Sequence, residues 1–142
     1  MNMKTFFLIA IALLLSAPIV AQMRPPAAVE LAIGDRHSCA RFENGKVKCW
    51  GSGTYGQHGQ GSAASLGDAP NEMGDILKHV ALGGDATVKK MSGGDYMNCA
   101  LMSDEKLKCW GYGGSGTLAT GATLSIGDGP NEMGDFLKPA NL

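Results

Sequence analysis

Three groups of residues in this chain have chemistry available to them: four cysteines, three histidines and two copies of an acidic stretch. Cys39 and Cys49 have nine residues between them, as do Cys99 and Cys109. Thiols can bridge, bind metal or attack. Structural zinc sites use pairs two to four residues apart, so this spacing argues against zinc. His37, His58 and His79 could form a catalytic or metal trio, but none recurs in the second half of the chain, and neutral packing histidines are the default. Asp68, Asn71, Glu72 and Asp75 recur as Asp128, Asn131, Glu132 and Asp135. Calcium takes six to eight oxygens, and this spacing is not that of the twelve-residue calcium loop. Turn chemistry explains the stretch better, with Asp and Asn bonding their own backbone and Pro70 fixing a kink. No serine, cysteine or carboxylate pair has a base partner. Gly51 to Gly56 has Gly-x-Gly-x-x-Gly spacing but opens no helix, so it is no dinucleotide site. The expectation is a non-enzymatic chain with no catalytic residue, no metal and no cofactor.

These residues are placed by a repeat with a period of sixty. Cys39 recurs as Cys99, Cys49 as Cys109 and Trp50 as Trp110, and Asn71-Glu72-Met73-Gly74-Asp75 returns as 131–135. Laying 23–82 over 83–142 gives 24 identities in 60 positions, with no insertion from Gly34/Gly94 to Leu82/Leu142. One supersecondary unit is used twice.

Within each unit the pattern predicts four short strands and one long excursion. Val29 to Ile33, His37 to Phe42, Lys46 to Trp50 and Ile76 to Leu82 are the strands of the first unit. Thr87 to Ser92, Tyr96 to Met102, Lys106 to Trp110 and Phe136 to Leu142 are those of the second. Asn44-Gly45 between two such runs is a strong hairpin signal. If paired residue numbers sum to 88, Cys39 faces Cys49 and Arg41 faces Val47, leaving Glu43-Asn44-Gly45 as a three-residue loop with Gly45 in the left-handed position. Directly opposed Cα atoms lie about 4.5–5.5 Å apart, within disulfide range. The predicted bridges are therefore Cys39–Cys49 and Cys99–Cys109, one per unit. In the second hairpin Glu105 replaces Gly45. Left-handed space costs a Glu roughly 1 kcal/mol or more, which predicts a different turn there. The tryptophans are expected to pack between units, with Gly34, Gly51, Gly94 and Gly111 allowing close backbone approach.

The ends and the composition bound the class. Lys4, the apolar run Phe6 to Leu15 and the small residues Ser16, Ala17, Pro18 and Ala21 form a secretory signal peptide at 1–21. The alternative is an uncleaved membrane anchor, but that run is short of the ~20 residues a spanning helix needs and Pro18 interrupts it, so the expectation is cleavage with no stable membrane insertion afterwards. Residues 22–28 are an extended lead-in, 29–82 the first unit and 83–142 the second. Without Lys4 the chain has 11 basic against 13 acidic side chains, a net charge of −2. No basic patch is evident, which argues against nucleic acid. Twenty-one glycines and 6% aromatics indicate an all-β chain with tight turns and a lean core. Export places the cysteines in an oxidising compartment. Twin Cys-x9-Cys spacing also resembles that of small helical hairpins of the mitochondrial intermembrane space, but Asn44-Gly45 and the glycines after Trp50 break such helices.

Gly34-Asp35-Arg36-His37-Ser38-Cys39-Ala40 followed by Lys46-Val47-Lys48-Cys49-Trp50-Gly51 resembles the repeat of the regulator of chromosome condensation family. Tyr55-Gly56-Gln57-His58-Gly59 is similar to the glycine-glutamine stretch that follows in that repeat. Met97 in place of His37, and Thr117-Leu118-Ala119 in place of Gln57-His58-Gly59, depart from it. The resemblance implies blades of a seven-bladed β-propeller, of which this chain supplies two, leaving an incomplete ring. It implies a secreted binding scaffold with a protein partner not identified by the sequence. The alternatives are guanine-nucleotide exchange on a small GTPase, the family's best-known activity, or a fragment of a longer propeller. Two blades leave open faces and strand edges, so self-association to complete a propeller is a further expectation.

Overall fold

The structure is a computed structural model and describes residues 24–142. The expected signal peptide at 1–21 lies outside the described residues. Six strands form two three-stranded antiparallel sheets. The first contains β1 (Ala28–Ile33), β2 (His37–Phe42) and β3 (Val47–Gly51); the second contains β4 (Val88–Gly93), β5 (Met97–Met102) and β6 (Leu107–Gly111). Strand order follows chain order in both. Among the described residues there is no α-helix, only two short 3-10 turns at Gly114–Gly116 and Gly134–Phe136. No helix among them is long and apolar enough to cross a membrane.

The two sheets share their irregularities as well as their strands. A register shift at Ala28/Glu30 recurs at Val88/Lys90. Cys39 pairs with Cys49 and Arg41 with Val47, as Cys99 pairs with Cys109 and Leu101 with Leu107. Gly45 closes the first hairpin at φ +72, its N–H bonding the Phe42 carbonyl. The second hairpin does not change turn type, against expectation. Glu105 takes φ +66 and its N–H bonds the Met102 carbonyl in the same way. Asp104 accepts from the Lys106 backbone N–H as Asn44 does from that of Lys46, and Lys89 Nζ reaches Glu105 at 2.6 Å. Local hydrogen bonds and the shared strand register hold the Glu where a Gly would be unstrained.

The fourth strand expected at 76–82 and 136–142 is not formed. Among the described residues the backbone of the outer edge of β3 is met at only two points, a bridge between Gly51 and Leu66 and a hydrogen bond from Val80 N–H to the Val47 carbonyl. Gly111 with Ile126, and Ala140 with Leu107, repeat the arrangement. Between the two points the chain turns away through positive φ at Asn71 and Gly74, and Ile76 stays 61% exposed. Without a continuous ladder the segment is extended chain pinned at one residue.

Paired residues share a sheet face, which fixes how the sheets meet. In the first sheet Ala32, Cys39, Cys49 and Val47 lie on one face, and Ile33, Ser38 and Trp50 on the other. In the second sheet Asn98, Ala100 and Trp110 lie on the face that corresponds to Ser38, Ala40 and Trp50. The buried core joins Ala32, Cys39, Val47 and Cys49 to Ala100 and Trp110, adding Val80, Leu82 and Leu137 from the extended segments. The sheets therefore stack front to back, the cysteine face of the first against the tryptophan face of the second.

Candidate functional site

At the seam between the sheets the polar side chains gather. His37, Gln57, His58 and Asn98 are all buried. The loop after β3 crosses onto the second sheet, and the Gln57 carbonyl accepts two hydrogen bonds there, from Asn98 Nδ2 at 2.8 Å and Trp110 Nε1 at 3.1 Å. Gly61 N–H donates to the Gly127 carbonyl at 2.9 Å. His58 Nε2 is 2.6 Å from the Ala64 carbonyl, and its Nδ1 accepts from Gln60 N–H. Both ring nitrogens of His37, Gln57 Nε2 and Asn98 Oδ1 have no hydrogen-bond partner among the described residues. Burial lowers the His37 pKa below its ordinary 6.5, and the neighbouring His58 adds to the shift. A neutral imidazole results, suited to packing.

The three histidines do not form a trio. His37 and His58 face the seam, whereas His79 packs edge-on to Phe42 at 6.2 Å. Burial again lowers the His79 pKa, helped by Lys48 and Lys46. Cys39 and Cys49 Sγ lie 2.07 Å apart, and Cys99 and Cys109 Sγ 2.06 Å. Among the described residues no cysteine stands alone, and no three His, Cys, Asp or Glu side chains converge in a metal-binding group.

The acidic stretches are closed on themselves. Glu72 Oε2 accepts the backbone N–H groups of Gly67, Asp68 and Ala69 at 2.7, 3.2 and 3.1 Å. Glu132 Oε2 accepts those of Gly127 and Gly129, each at 2.8 Å. The carboxylate fills a nest of amides, and those amides lower the Glu72 pKa. Gly34 and Gly94 close the turns before β2 and β5 through N–H bonds to the His37 and Met97 carbonyls. A Cβ on Gly51 or Gly111 would fall 2.5 Å from the Arg36 carbonyl oxygen or 2.4 Å from that of Tyr96. Trp110 is fully buried in the seam, while Trp50, its counterpart, is half-buried because among the described residues no second sheet lies against its face.

One cluster has no counterpart in the repeat pattern. The three tyrosines of the chain meet at one end of the seam, Tyr55 lying 5.5 Å from Tyr96 and 4.9 Å from Tyr112 in edge-on contacts. Tyr55 and Tyr112 are 37% and 41% exposed. The Tyr96 hydroxyl donates to Asp35 at 3.2 Å, and that bond with the Asp35 charge raises its pKa. Their counterparts are Ser115, Arg36 and Ser52, so a comparison of repeats passes over them. The one available signal is that all three depart from the repeat toward the same residue type. A separate cleft of about 460 Å³ opens where Gln60 and Lys78 face Pro130, Met133 and Phe136.

Residues 28–57 and 88–117 match the regulator of chromosome condensation (RCC1) repeat. The human probable E3 ubiquitin-protein ligase HERC6 is 30% identical over 91 residues, which are 64% of this chain and 8% of HERC6. In the crystal structure of Kap60 bound to yeast RCC1 (Prp20), the fold is similar with a TM-score of 0.55 at 15% identity, over 78% of this chain and 25% of that one. The structure of Prp20p from Saccharomyces cerevisiae, described with its binding to Gsp1p and histones, gives 0.49 at 19% identity, over 69% and 24%. The chain spans a small part of each relative. Each of its sheets lies within one match to the regulator of chromosome condensation repeat, and the two together have the fold of an incomplete β-propeller ring.

Proposed function

We propose that the chain is a secreted, non-enzymatic binding scaffold that contacts a protein partner through the tyrosine cluster at the end of its seam. The observation that carries this reading is the convergence of Tyr55, Tyr96 and Tyr112, drawn from both repeats, onto one exposed patch. Tyrosine gives large contact area with few rotamers to freeze, and is enriched where interfaces concentrate their binding energy. The groups that could do chemistry are engaged elsewhere. The cysteines are paired, Glu72 and Glu132 fill amide nests, and His37 and His58 are buried. Cleavage after Ala21 and oxidation of both cysteine pairs belong to the same reading. The likeness to Prp20 is one of fold, so nucleotide exchange is not carried over.

A photo-crosslinker in place of Tyr112, in the full chain expressed in a secreting cell, tests the proposal. Mass spectrometry should find Gln22 as the N-terminus, Cys39 joined to Cys49, and one crosslinked protein that disappears when Tyr55→Ser is added. A chain retained with residues 1–21 and free thiols would overturn secretion. Crosslinking indifferent to Tyr55→Ser would overturn the site.

A further inference from the structure

The chain contains one seam and, on its two outer sides, the two halves of another. Inside, the cysteine face of sheet 1 meets the tryptophan face of sheet 2. Outside, sheet 1 presents its tryptophan face and sheet 2 its cysteine face. We propose that these outward faces dock on one another between two copies of this chain, head to tail, repeating the internal seam.

The outward faces are more apolar than the inward ones they correspond to. On the tryptophan face, sheet 1 carries Leu31 and Ile33, 63% and 67% exposed, where sheet 2 carries Met91 and Gly93. On the cysteine face, sheet 2 carries Met97 and Leu101 where sheet 1 carries His37 and Arg41. A soluble surface should show the reverse, and large apolar stripes left in water mark contact faces.

The internal seam also shows how the second would close. Gly56 sits against the backbone of Gly127 and Asp128, and Gly61 bonds the Gly127 carbonyl. The corresponding Gly116 and Gly121 keep positive φ and have nothing within 4 Å of a would-be Cβ. The acceptor half is open too. Trp50 Nε1 makes no hydrogen bond among the described residues, whereas Trp110 Nε1 holds the Gln57 carbonyl. Side chains differ in matched pairs across the seam. Gln57 and Asn98 become Thr117 and Ser38, and Tyr55 with Tyr96 and Tyr112 becomes Ser115 with Arg36 and Ser52. Three positions need adjustment. Glu105 replaces Gly45, whose Cβ would lie 2.5 Å from Thr87 Cβ, so the second copy's lead-in at Ala27 must move aside. Ala119 replaces Gly59, whose Cβ would lie 2.8 Å from Val80 Cγ1, 3.0 Å from Trp110 Nε1 and 3.1 Å from Met133 Cε; Ala140 in place of Val80 relieves the first contact, and Trp50 and Met73 must both give way for the others. Ile33 replaces Gly93, whose Cβ would lie 2.9 Å from the Ile33 carbonyl oxygen, so the inner strands of the new seam stand farther apart. A head-to-tail contact of this kind propagates, closing into a ring when its rotation allows.

The test uses the full chain with both cysteine pairs oxidised. Light scattering across a concentration series should give a mass of at least twice the single-chain value. Leu31→Lys with Ile33→Lys should return it to one copy while circular dichroism and non-reducing peptide maps stay unchanged. For geometry, a photo-crosslinker at Met73 in an equal mixture of light and ¹⁵N-labelled chains should give light–heavy links into the peptide 109–138. A single-copy mass at the highest soluble concentration would overturn the proposal. So would links joining residue 73 of one copy to residue 73 of another, which mark a two-fold contact.

Discussion

Gly56 and Gly116 occupy the same position in the two repeats and separate backbone strain from seam contact. Their φ values are +76 and +74, so alanine at either pays the same left-handed penalty, about 1–2 kcal/mol. Their surroundings differ. A Cβ on Gly56 would lie 2.3 Å from Asp128 N and from Gly127 C, where ordinary contact begins at 3.4 Å, whereas Gly116 has nothing within 4 Å. The shortfall of about 1.1 Å falls on backbone, which cannot rotate aside as a side chain does. Gly56→Ala must therefore push the loop off the second sheet. That strains three hydrogen bonds: Asn98 and Trp110 to the Gln57 carbonyl, and Gly61 to Gly127. At about 0.5–1.5 kcal/mol net each, their loss places Gly56→Ala roughly 2–4 kcal/mol below Gly116→Ala. Urea unfolding of the oxidised chain, diluted until light scattering reads one copy, measures the difference. Equal costs, within about 0.5 kcal/mol, would refute the reasoning, because the loop would then not depend on the seam. In concentrated solution Gly116→Ala should in addition lower the oligomer mass.

Protonating His37 charges a buried ring, so its lowered pKa adds stability that is complete above about pH 6.5 and is lost as pH falls toward the folded-state value. His37→Met, the residue of the second repeat, should flatten the fall in urea midpoint between about pH 7 and pH 5; an unchanged fall would exclude this role, since His79 alone would then carry it. Replacing Cys39 and Cys49 together by serine should cost about 2–3 kcal/mol, the loop-closure value for so short a loop, and a calorimetric loss below about 1 kcal/mol would contradict it. Glu72→Gln should speed hydrogen exchange at Gly67 and Ala69, whose amides the carboxylate holds, and the wild-type loop should loosen likewise once acid protonates Glu72 below the usual carboxylate range. Protection indifferent to both changes would show that backbone alone sets the turn.

Much of the fold is legible in the sequence because its signals are local. Alternation, the Asn44-Gly45 turn and the sixty-residue offset place six strands within a residue or two, and the register that opposes Cys39 to Cys49 follows from loop length. Two local readings miss. Segment 76–82 has strand composition, but the turns at Asn71 and Gly74 bring it to the β3 edge at one residue only. Glu105 violates turn preference, yet the register imposed by β5 and β6 outweighs a penalty of about 1 kcal/mol. The seam is hidden for a different reason. Which face of one sheet meets which face of the next is a long-range fact, and aligned sequences report only that the units are alike.

That likeness also conceals where the two units are used differently. Residues common to both repeats, such as the cysteines and the nest-filling Glu72 and Glu132, build each unit internally. Several residues that differ fall at the boundary between units, such as His37 against Met97, Gln57 against Thr117, Tyr55 against Ser115 and Ile33 against Gly93, beside shared seam residues such as Gly56, Gly61 and Trp110. A unit's interior meets the same environment in every copy, so its side chains can stay the same. Each boundary has its own neighbour, and a side chain fitted to that neighbour need suit no other. Trp50 and Trp110 show the separation within one residue type. Position and strand are the same, and burial differs because Trp110 lies under the first sheet and the Gln57 loop, whereas no sheet faces Trp50 among the described residues. In a chain of repeats, therefore, the shared positions supply the blade and the backbone contacts of its seam, and the unshared ones at that seam fit it to a particular neighbour.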